Sequence, residues 1–429
     1  MSSIDQIAAA LEGYDPQALS AHHVNAFLDR LVQPVEQTED VELVAALGRV
    51  LAQDVVSPIS VPPHDNSAMD GFAFAGELLR AGQPLRLKVV GTALAGKAWS
   101  GELGQDGAVK IMTGAIMPEG TDTVVPIEFV KLDGEHVTIP ADVVRPGDNR
   151  RLLGEDLMAG LPALTRGQTL GPAALGLLAS LGLPRVPVYR RLKVAYFSTG
   201  DEILSLGDAP REGAVYDSNR YTVFGMLTRM GIEVLDLGVI RDEPAALEAA
   251  FRHAARHADA IITSGGVSMG EADHTKAMMK QLGDVAFWRI AMRPGRPMAV
   301  GKIGKAEGVS GASAILFGLP GNPVAVMVTF LAFVRPALLR MMGANPAEPV
   351  LLKARSGEAM RKIPGRTEYQ RGIVSREADG TLRVRTTGNQ GSGVLSSMVQ
   401  ANGLIVLHHQ QGNVAVDDEV DVMMFDGVI

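Results

Sequence analysis

The stretch "DAIITSGGVSMGEADHTK", residues 259–276, has the pattern of a buried strand, a glycine turn and the start of a helix. Nucleotide-binding folds hold phosphates at such a turn, where the first N–H groups of a helix point toward the ligand. This turn lacks the Gly-Lys-Ser/Thr ending of a P-loop. It carries acids and hydroxyls instead, at Ser264, Ser268, Glu271 and Asp273. The stretch therefore predicts an α/β fold with acidic side chains in a phosphate-type loop.

Strand and helix patterns alternate around this stretch, over residues 190–342. Strands are predicted at "LKVAYFS", "IEVLDLGVI", "AIITSGG" and "AILFGL", and helices at "NRYTVFGMLTRMG", "EPAALEAAFRHAARHA" and "PVAVMVTFLAF". Such alternation predicts parallel β-α-β units in a doubly wound sheet. In the last helix, Asn322 suits the N-cap and Pro323 suits the first turn. Pro336 is expected to kink or end the regular part of this helix. This helix is apolar on all sides, so we expect it to be buried.

The flanking segments predict further domains, and hence a multidomain α/β plus β protein. Apolar positions at helical spacing predict helices in residues 21–52 and 171–183. Short alternating runs between them predict a β-rich insertion, with a hairpin through Asp133-Gly134 in "LDGEHVTI". Short strands beyond residue 344 predict a small all-β, barrel-like module. The predicted domains are 1–59 with 157–188 (helical and discontinuous), 60–156 (inserted), 189–343 (α/β) and 344–429 (all-β).

The composition excludes several classes of function. The chain has 429 residues, 46% of them hydrophobic and 21% charged, which is typical of a soluble protein with about two to four domains. The sequence predicts no apolar run that is long enough to span a membrane, and its polar first residues, "MSSIDQ", lack the core of a signal peptide. We therefore expect a cytoplasmic protein. The absence of cysteine excludes disulfides and thiolate metal sites. The net charge of −8 argues against nucleic acid or an anionic membrane as a partner.

Acidic side chains follow three predicted strands, at the edge where doubly wound sheets bind ligands. They are Asp201, Glu202, Asp242, Glu271 and Asp273, and Asp217 stands at the start of a helix. Any one of them is equally well explained as a helix cap. Several carboxylates on one edge repel each other unless a cation lies among them, and Mg²⁺ commonly bridges carboxylates to phosphates. The set therefore favours a metal-assisted site for a phosphorylated or oxyanionic small molecule.

Other polar motifs have simpler explanations. Arg289, Arg293 and Arg296 surround a Pro-Gly turn and fit a tetrahedral oxyanion, although a solvated basic hairpin explains the same pattern. On spacing alone, "GLPGNP" is best explained as a tight turn, and the polar clusters in 61–74 and 147–157 as Asx turns. His253 and His257 lack the intervening glutamate of a zinc protease helix, so no zinc site is predicted.

Eight motifs, taken in order, resemble the molybdopterin molybdenumtransferase family, which includes bacterial MoeA proteins and the E domain of gephyrin. They are "DNSAMDGFA", "IMTGAIMPEGTDTVV", "LLGEDL", "STGDEI", "YDSN", "TSGGVSMGEADHTK", "RPGRP" and "GLPGNPVA". The resemblance extends over about residues 20 to 429. It implies an elongated, L-shaped subunit of four domains, with a molybdopterin-binding α/β domain, in a homodimer. It also implies insertion of molybdate into adenylylated molybdopterin, with Mg²⁺-dependent release of AMP.

The same resemblance implies a site between the α/β domain of one subunit and the inserted domain of the other. It also implies a link to the upstream molybdopterin adenylyltransferase. The implied catalytic residues are Asp65, Thr113, Asp156, Glu202, Asp242 and Asp273, of which the last three are implied Mg²⁺ ligands. The implied substrate contacts are Ser218, Ser264, Gly265, Gly266, Ser268, Arg293, Arg296, Pro320, Pro323, Arg366 and Ser392. Asp65 and Thr113 would come from the partner subunit.

Four positions depart from the family pattern. Arg293 and Arg296 stand where lysines are usual, His64 replaces a phenylalanine, and Phe72 replaces a tyrosine. Arginine keeps the charge but differs from lysine in reach and hydration, so the substitutions bear directly on oxyanion binding.

Two other functions remain as alternatives. A carrier or scaffold with a degenerate site predicts that Asp242→Ala leaves cofactor synthesis unchanged. An adenylyltransferase acting on molybdopterin itself predicts ATP turnover with free molybdopterin. The retained acids favour the transferase.

Overall fold

The centre of the computed structural model, which describes residues 3–267, 274–304, 313–345 and 350–425, is a six-stranded sheet. In spatial order its strands are Glu233–Ile240, Lys193–Thr199, Ala260–Ser264, Ala314–Leu319, Pro297–Ile303 and Gly283–Arg289. The first four strands are parallel, and Pro297–Ile303 pairs antiparallel with both of its neighbours. The predicted α/β sheet is confirmed, and the structure adds two antiparallel strands at one edge.

Alternate residues of the central strands face two hydrophobic cores. Tyr196 and Ile262 belong to one core, whereas Phe197 and Ile261 belong to the other. Successive side chains of a strand point to opposite faces, so each face of this sheet must be covered. Helices provide the cover: Pro244–His257 and His274–Leu282 on one face, Ser218–Arg229 and Pro323–Thr329 on the other. This double layer confirms the doubly wound architecture.

The helix that begins at Pro323 contains an unusual turn before Pro336. It runs as Pro323–Thr329, a π-helical turn at Phe330–Val334, and Arg335–Met341. Proline has no N–H to donate, and its ring needs space next to the preceding turn. The regular α-helix is thus interrupted directly before Pro336, as expected, and because the π turn widens the helix at that point, the helix continues through the proline.

This helix also corrects the expectation that no apolar run could span a membrane. By length and composition alone, the 19 residues from Pro323 to Met341 could do so, but 78% of that segment is buried inside the protein. Its residues pack in the first core, where Phe330 and Phe333 are almost fully buried. In this fold it is the core helix of the α/β domain.

A second six-stranded sheet occupies the inserted region. In spatial order its strands are Thr123–Pro126, Gly71–Phe74, Gly107–Ile111, Leu85–Ala93, His136–Ile139 and Lys131–Asp133. The last two form the predicted hairpin, although Asp133 pairs with His136 and the turn is therefore Gly134-Glu135. Gly134 has a φ of 59°, which glycine adopts without a Cβ penalty.

Strand pairings connect the segments before and after the insertion. Thr38–Glu42 pairs antiparallel with Arg185–Tyr189, and Val55–Val56 pairs with Pro162–Leu164. The helices of these segments are Ser3–Ala9, Ala21–Leu31 and Pro172–Ser180. The helical prediction for residues 38–52 was therefore wrong, because pairing with a distant strand outweighs local periodicity. The domain limits themselves stay a prediction.

The C-terminal region is a closed five-stranded barrel. Around the barrel its strands are Thr367–Arg376, Leu382–Thr386, Leu352–Ser356, Glu419–Met424 and Gly403–Leu407, and the last pairs with the first. A short helix, Ser396–Gln400, precedes the strand Gly403–Leu407. The predicted barrel-like β module is confirmed.

Candidate active site

A cleft of about 920 Å³ opens at the carboxyl ends of the central parallel strands, where the α/β domain meets the C-terminal barrel. The predicted site residues that line it are Glu202, Asp242, Gly265, Gly266, Arg293, Arg296, Pro320, Arg366 and Ser392. Its position agrees with the rule that ligands of open α/β sheets bind beyond the carboxyl ends of the strands. Its size suits a small-molecule ligand.

One end of the cleft is acidic. Glu202 follows the strand Lys193–Thr199, and Asp242 follows the neighbouring strand Glu233–Ile240. Parallel strands end at the same edge, so the fold brings the two carboxylates to one cleft. The hydroxyl of Thr275 donates a hydrogen bond to Oδ1 of Asp242 at 3.1 Å, which engages one of the two carboxylate oxygens.

The acidic end fits a magnesium ion. Of the predicted ligands, Glu202 and Asp242 line the cleft, while Asp273 lies outside the described residues, as does Ser268. The part of the chain that the structure describes contains no group of three or more His, Cys, Asp or Glu side chains that could hold a metal ion. Mg²⁺, however, commonly binds through one or two carboxylates, completed by water and substrate phosphates.

The glycine turn that follows the next strand of the sheet, Ala260–Ser264, is tightly packed. Gly265 and Gly266 have φ values of 90° and 66°, in the left-handed region. A Cβ on Gly265 would lie 2.5 Å from the carbonyl oxygen of Thr199, and one on Gly266 would lie 2.5 Å from the side chain of Thr275. Both positions therefore need glycine, and the exposed backbone of the turn can approach a ligand closely.

The turn "GLPGNP" lies in the cleft wall, although its spacing alone indicated only a tight turn. Pro320 and Asn322 line the cleft, and Pro323 is the first residue of the following helix. Asn322 occupies the predicted N-cap position, but its side chain makes no capping hydrogen bond. The carbonyl of Gly321 accepts a hydrogen bond of 2.7 Å from the buried Asn219 side chain, which fixes the turn.

The opposite end of the cleft is basic. Arg293 and Arg296 come from the turn before strand Pro297–Ile303, and Arg366 comes from the C-terminal barrel. Residues Met292–Arg293 pair in parallel with Thr367 and Glu368, directly after Arg366. This pairing explains why arginines that are distant in sequence share one wall.

A buried arginine that the sequence analysis missed supports this wall. Arg371 donates hydrogen bonds to the carbonyls of Asn389 and Gly391 and to the hydroxyl of Ser397. Burial, together with the nearby charge of Arg293, lowers the pKa of Arg371 to about 10. These bonds hold the loop that carries Gln390 and Ser392 into the cleft. A single arginine within a strand pattern carries no motif, so only the tertiary structure reveals it.

Two predicted contacts lie beneath or beside the cleft surface. The Ser264 hydroxyl is buried and forms hydrogen bonds with the hydroxyls of Tyr196 at 2.7 Å and Ser198 at 3.1 Å. Ser218 is the first residue of a helix, and Asp217 caps that helix by accepting a bond from the Arg220 N–H at 3.0 Å. Asp217 thus has the capping role considered from the sequence. Substrate contacts by Ser218 and Ser264 stay a prediction.

Comparison with known proteins identifies the family. Family profiles match residues 18–182 (MoeA N-terminal region, domain I and II), 195–340 (probable molybdopterin binding domain) and 353–425 (MoeA C-terminal region, domain IV). The molybdopterin molybdenumtransferase of Haemophilus influenzae is 41% identical over 403 residues, which are 94% of this chain and 97% of that protein. The chain belongs to the molybdopterin molybdenumtransferase family.

Other relatives agree. The molybdopterin molybdenumtransferase of Bacillus subtilis is 35% identical over 378 residues, which are 86% of each protein. The crystal structure of the molybdopterin biosynthesis moeA protein from Pyrococcus horikoshii OT3 has a TM-score of 0.78 at 27% identity, and the match covers 95% of this chain and 100% of that one. Membership of the molybdopterin molybdenumtransferase family makes the protein a transferase of molybdenum cofactor biosynthesis.

Three residues that the resemblance assigns to the site lie in or next to the inserted sheet and do not line the cleft. Oδ1 of Asp65 accepts a hydrogen bond of 2.8 Å from the Leu153 N–H. The N–H and hydroxyl of Thr113 donate to Oδ1 of Asp70 at 2.6 and 2.8 Å, and these bonds lower the pKa of Asp70. Asp156, which follows Leu153 closely in the chain, is exposed. The structure of one chain does not bring these residues together with Glu202 and Asp242.

The two substitutions in the inserted region differ in their surroundings. Phe72 is buried in the core of the inserted sheet, whereas His64 is exposed. A tyrosine at position 72 would bring its hydroxyl into this apolar core or to its edge, so Phe72 fits its surroundings without a polar partner.

Proposed function

We propose that the protein inserts molybdate into adenylylated molybdopterin, with Mg²⁺-dependent release of AMP, in the cleft between the α/β domain and the barrel. The observation that carries the proposal is the division of one cleft into an acidic end and a basic end. The names of the relatives support the substrate class. We further propose that the protein acts in the cytoplasm and receives its substrate from a molybdopterin adenylyltransferase.

The two ends would perform different tasks. Glu202 and Asp242 would hold Mg²⁺, which when bound offsets the negative charge of the phosphoanhydride. The glycine turn at Gly265 and Gly266 would let the phosphates approach the backbone. The basic end would bind the molybdate oxygens, because guanidinium groups match tetrahedral oxyanions with two donors at once. One cavity would thus hold the activated substrate and the incoming oxyanion together.

We propose that two copies of the chain complete each site. The support is that Asp65, Thr113 and Asp156 do not line the cleft of their own chain. If they act in the reaction, a second copy has to supply them. An isologous dimer provides two such sites, because each subunit offers its cleft to the inserted domain of the other.

Exposed apolar side chains on both surfaces support this assembly. Five apolar or aromatic side chains that follow Glu202 in the chain are 43–61% exposed, and we call them the apolar patch: Leu206, Val215, Tyr216, Tyr221 and Phe224. Around Asp65, the side chains of Met69, Leu152 and Leu153 are 40–48% exposed. Apolar clusters of this kind mark interaction surfaces. Their contact would place Asp65 near Glu202.

The experiment is an assay of AMP release from adenylylated molybdopterin. We expect release to require both molybdate and Mg²⁺, and to stop when EDTA removes the metal. Binding of adenylylated molybdopterin without AMP above background would reject the proposal and favour a carrier. Consumption of ATP with free molybdopterin would instead favour an adenylyltransferase.

A further inference from the structure

Arg366 is held by a buried carboxylate. Its Nε lies 2.8 Å from Oε1 of Glu368, whose side chain is only 2% exposed. Nε of a guanidinium group lies on the side of the chain stem, so this contact leaves the terminal nitrogens pointing farther out. Arg366 itself lines the cleft. The ion pair therefore fixes the orientation of an arginine at the basic end.

A buried lysine holds the turn that carries Arg366. Nζ of Lys362 donates to the carbonyls of Ile363 at 2.8 Å and Gln411 at 3.1 Å, and its backbone N–H donates to Asn413. The side chain of Lys362 is 3% exposed. Burial lowers the pKa of Lys362, and the negative charge of Glu368 acts in the opposite direction.

Glu368 also lies where the two domains join. It pairs through its backbone with Arg293, so a shift of the barrel strand would move both arginines. A buried carboxylate beside an oxyanion site would repel the ligand unless cations offset it. Here Arg366 pairs directly with Glu368, and Lys362 adds a second positive charge from the turn before Arg366.

We propose that Glu368 and Lys362 are positioning residues for the basic end of the cleft. Glu368 fixes the guanidinium group of Arg366. Lys362 clamps the turn before Arg366 and offsets the charge of Glu368. The ligand of this end is molybdate, so the inference rests on the proposed function.

The test is isothermal titration of molybdate into the full-length protein and into Glu368→Gln, Arg366→Gln and the double variant. Glutamine keeps the size of the side chain and one oxygen acceptor but removes the charge. We expect Glu368→Gln to weaken binding by about tenfold or more, because a misplaced binding group loses much of its effect. The double variant should bind no more weakly than Arg366→Gln, because Glu368 acts through Arg366.

Kinetics give a second readout. Glu368→Gln should raise the KM for molybdate by the same factor and leave kcat at saturating molybdate close to the wild-type value. The control is Glu377→Gln, which removes the more exposed ion pair with Arg383, of 2.7 Å, away from the cleft, while Arg383 keeps its pair with Asp417. This variant should bind molybdate like the wild type. If Glu368→Gln does not fold, Lys362→Met loosens the same turn and replaces it in the comparison.

Three results would overturn the inference. The first is wild-type binding by Glu368→Gln, or by Lys362→Met where that variant replaces it. The second is a double variant weaker than Arg366→Gln by the full factor of the single change, because the two residues would then act independently. The third is a wild-type protein that binds no molybdate. This result would contradict the proposed function as well, whereas the first two results would contradict only the positioning role.

Discussion

At the scale of single residues, Asp242 illustrates how the fold prepares a carboxylate for a metal. It follows a strand end, lines the cleft, and receives one neutral hydrogen bond, from Thr275. A carboxylate held by one hydroxyl keeps oxygen lone pairs for a cation. We therefore expect the reaction to depend on the negative charge of the Asp242 carboxylate rather than on the size of its side chain.

We predict that Asp242→Asn impairs the use of Mg²⁺ without destabilising the protein. Asparagine keeps the oxygen that accepts the Thr275 bond but is a weaker ligand for a hard cation. The Mg²⁺ concentration for half-maximal AMP release should rise by about tenfold or more. The control is Glu248→Gln, on an exposed helical ion pair with Arg252, which should behave like the wild type. An unchanged Mg²⁺ dependence of Asp242→Asn would contradict this role.

Thr113 provides a test at a residue outside the cleft. Its two hydrogen bonds lower the pKa of Asp70 in the folded state. The stabilisation that they provide is therefore complete above the pKa of Asp70 in the unfolded chain, and it is lost as the pH falls through the lower pKa of the folded protein. We predict that Thr113→Val raises the pKa of Asp70, because valine keeps the backbone bond but removes the hydroxyl. An NMR titration of the Asp70 carboxyl measures the shift. An unchanged pKa would show that the hydroxyl bond is absent in solution.

The sequence predicted some site residues and missed others for a physical reason. Glu202 and Asp242 follow strand ends, so the local pattern was enough to predict that they meet. Arg366 and Ser392 came only from the family resemblance, because their approach depends on how the barrel packs against the α/β domain. Arg371 and Glu368 were missed because their importance lies in burial and in bonds to distant loops.

At the scale of elements, the glycine turn after strand Ala260–Ser264 joins the sheet to the cleft. Its two glycines have left-handed φ values and contact Thr199 and Thr275. The turn therefore depends on the absence of side chains at both positions. A substitution there should affect the strand, the helix and the cleft together.

We predict that Gly266→Ala lowers the free energy of unfolding by about 2–5 kcal/mol, the sum of left-handed strain and overpacking against Thr275. The control is Gly104→Ala, where φ is 71° but no atom lies within 4 Å of the added Cβ. That variant should lose only about 1–2 kcal/mol, from φ alone. Denaturant unfolding measures both. Equal losses would mean that the Thr275 contact is unimportant.

The segment 38–42 shows where element prediction failed. Its sequence continues a helical spacing of apolar residues, yet it forms a strand with Arg185–Tyr189, about 145 residues away. Local periodicity contains no information about such a partner. The four parallel strands of the α/β region were predicted well because each is an apolar run followed by a helical pattern.

At the scale of the whole molecule, the proposed active site needs two chains. The cleft holds Glu202, Asp242 and the arginines, and the inserted sheet carries Asp65 and Thr113 elsewhere. The apolar patch at Leu206–Phe224 follows the cleft residue Glu202 in the chain and would receive the second copy in the proposed dimer.

We predict that Phe224→Glu weakens the dimer, because it places a charge in the apolar patch. Sedimentation velocity should show a shift toward monomer, and AMP release should fall with it. The control is Val416→Glu, on an exposed apolar residue of the barrel, which should remain dimeric. A wild-type protein that is monomeric at assay concentrations would contradict the proposal.

The most direct measurement uses a mixed dimer of Asp242→Asn and Asp65→Asn chains, coexpressed with different tags. At a Mg²⁺ concentration well below the half-maximal value of Asp242→Asn, each variant alone should have little AMP release. In a random mixture about half of the dimers are mixed, and each mixed dimer has one intact site of two, so release should recover to about a quarter of the wild-type rate. Recovery to that level would establish that one chain's cleft works with the other chain's inserted sheet. Activity no greater than that of the two variants alone would contradict the shared site.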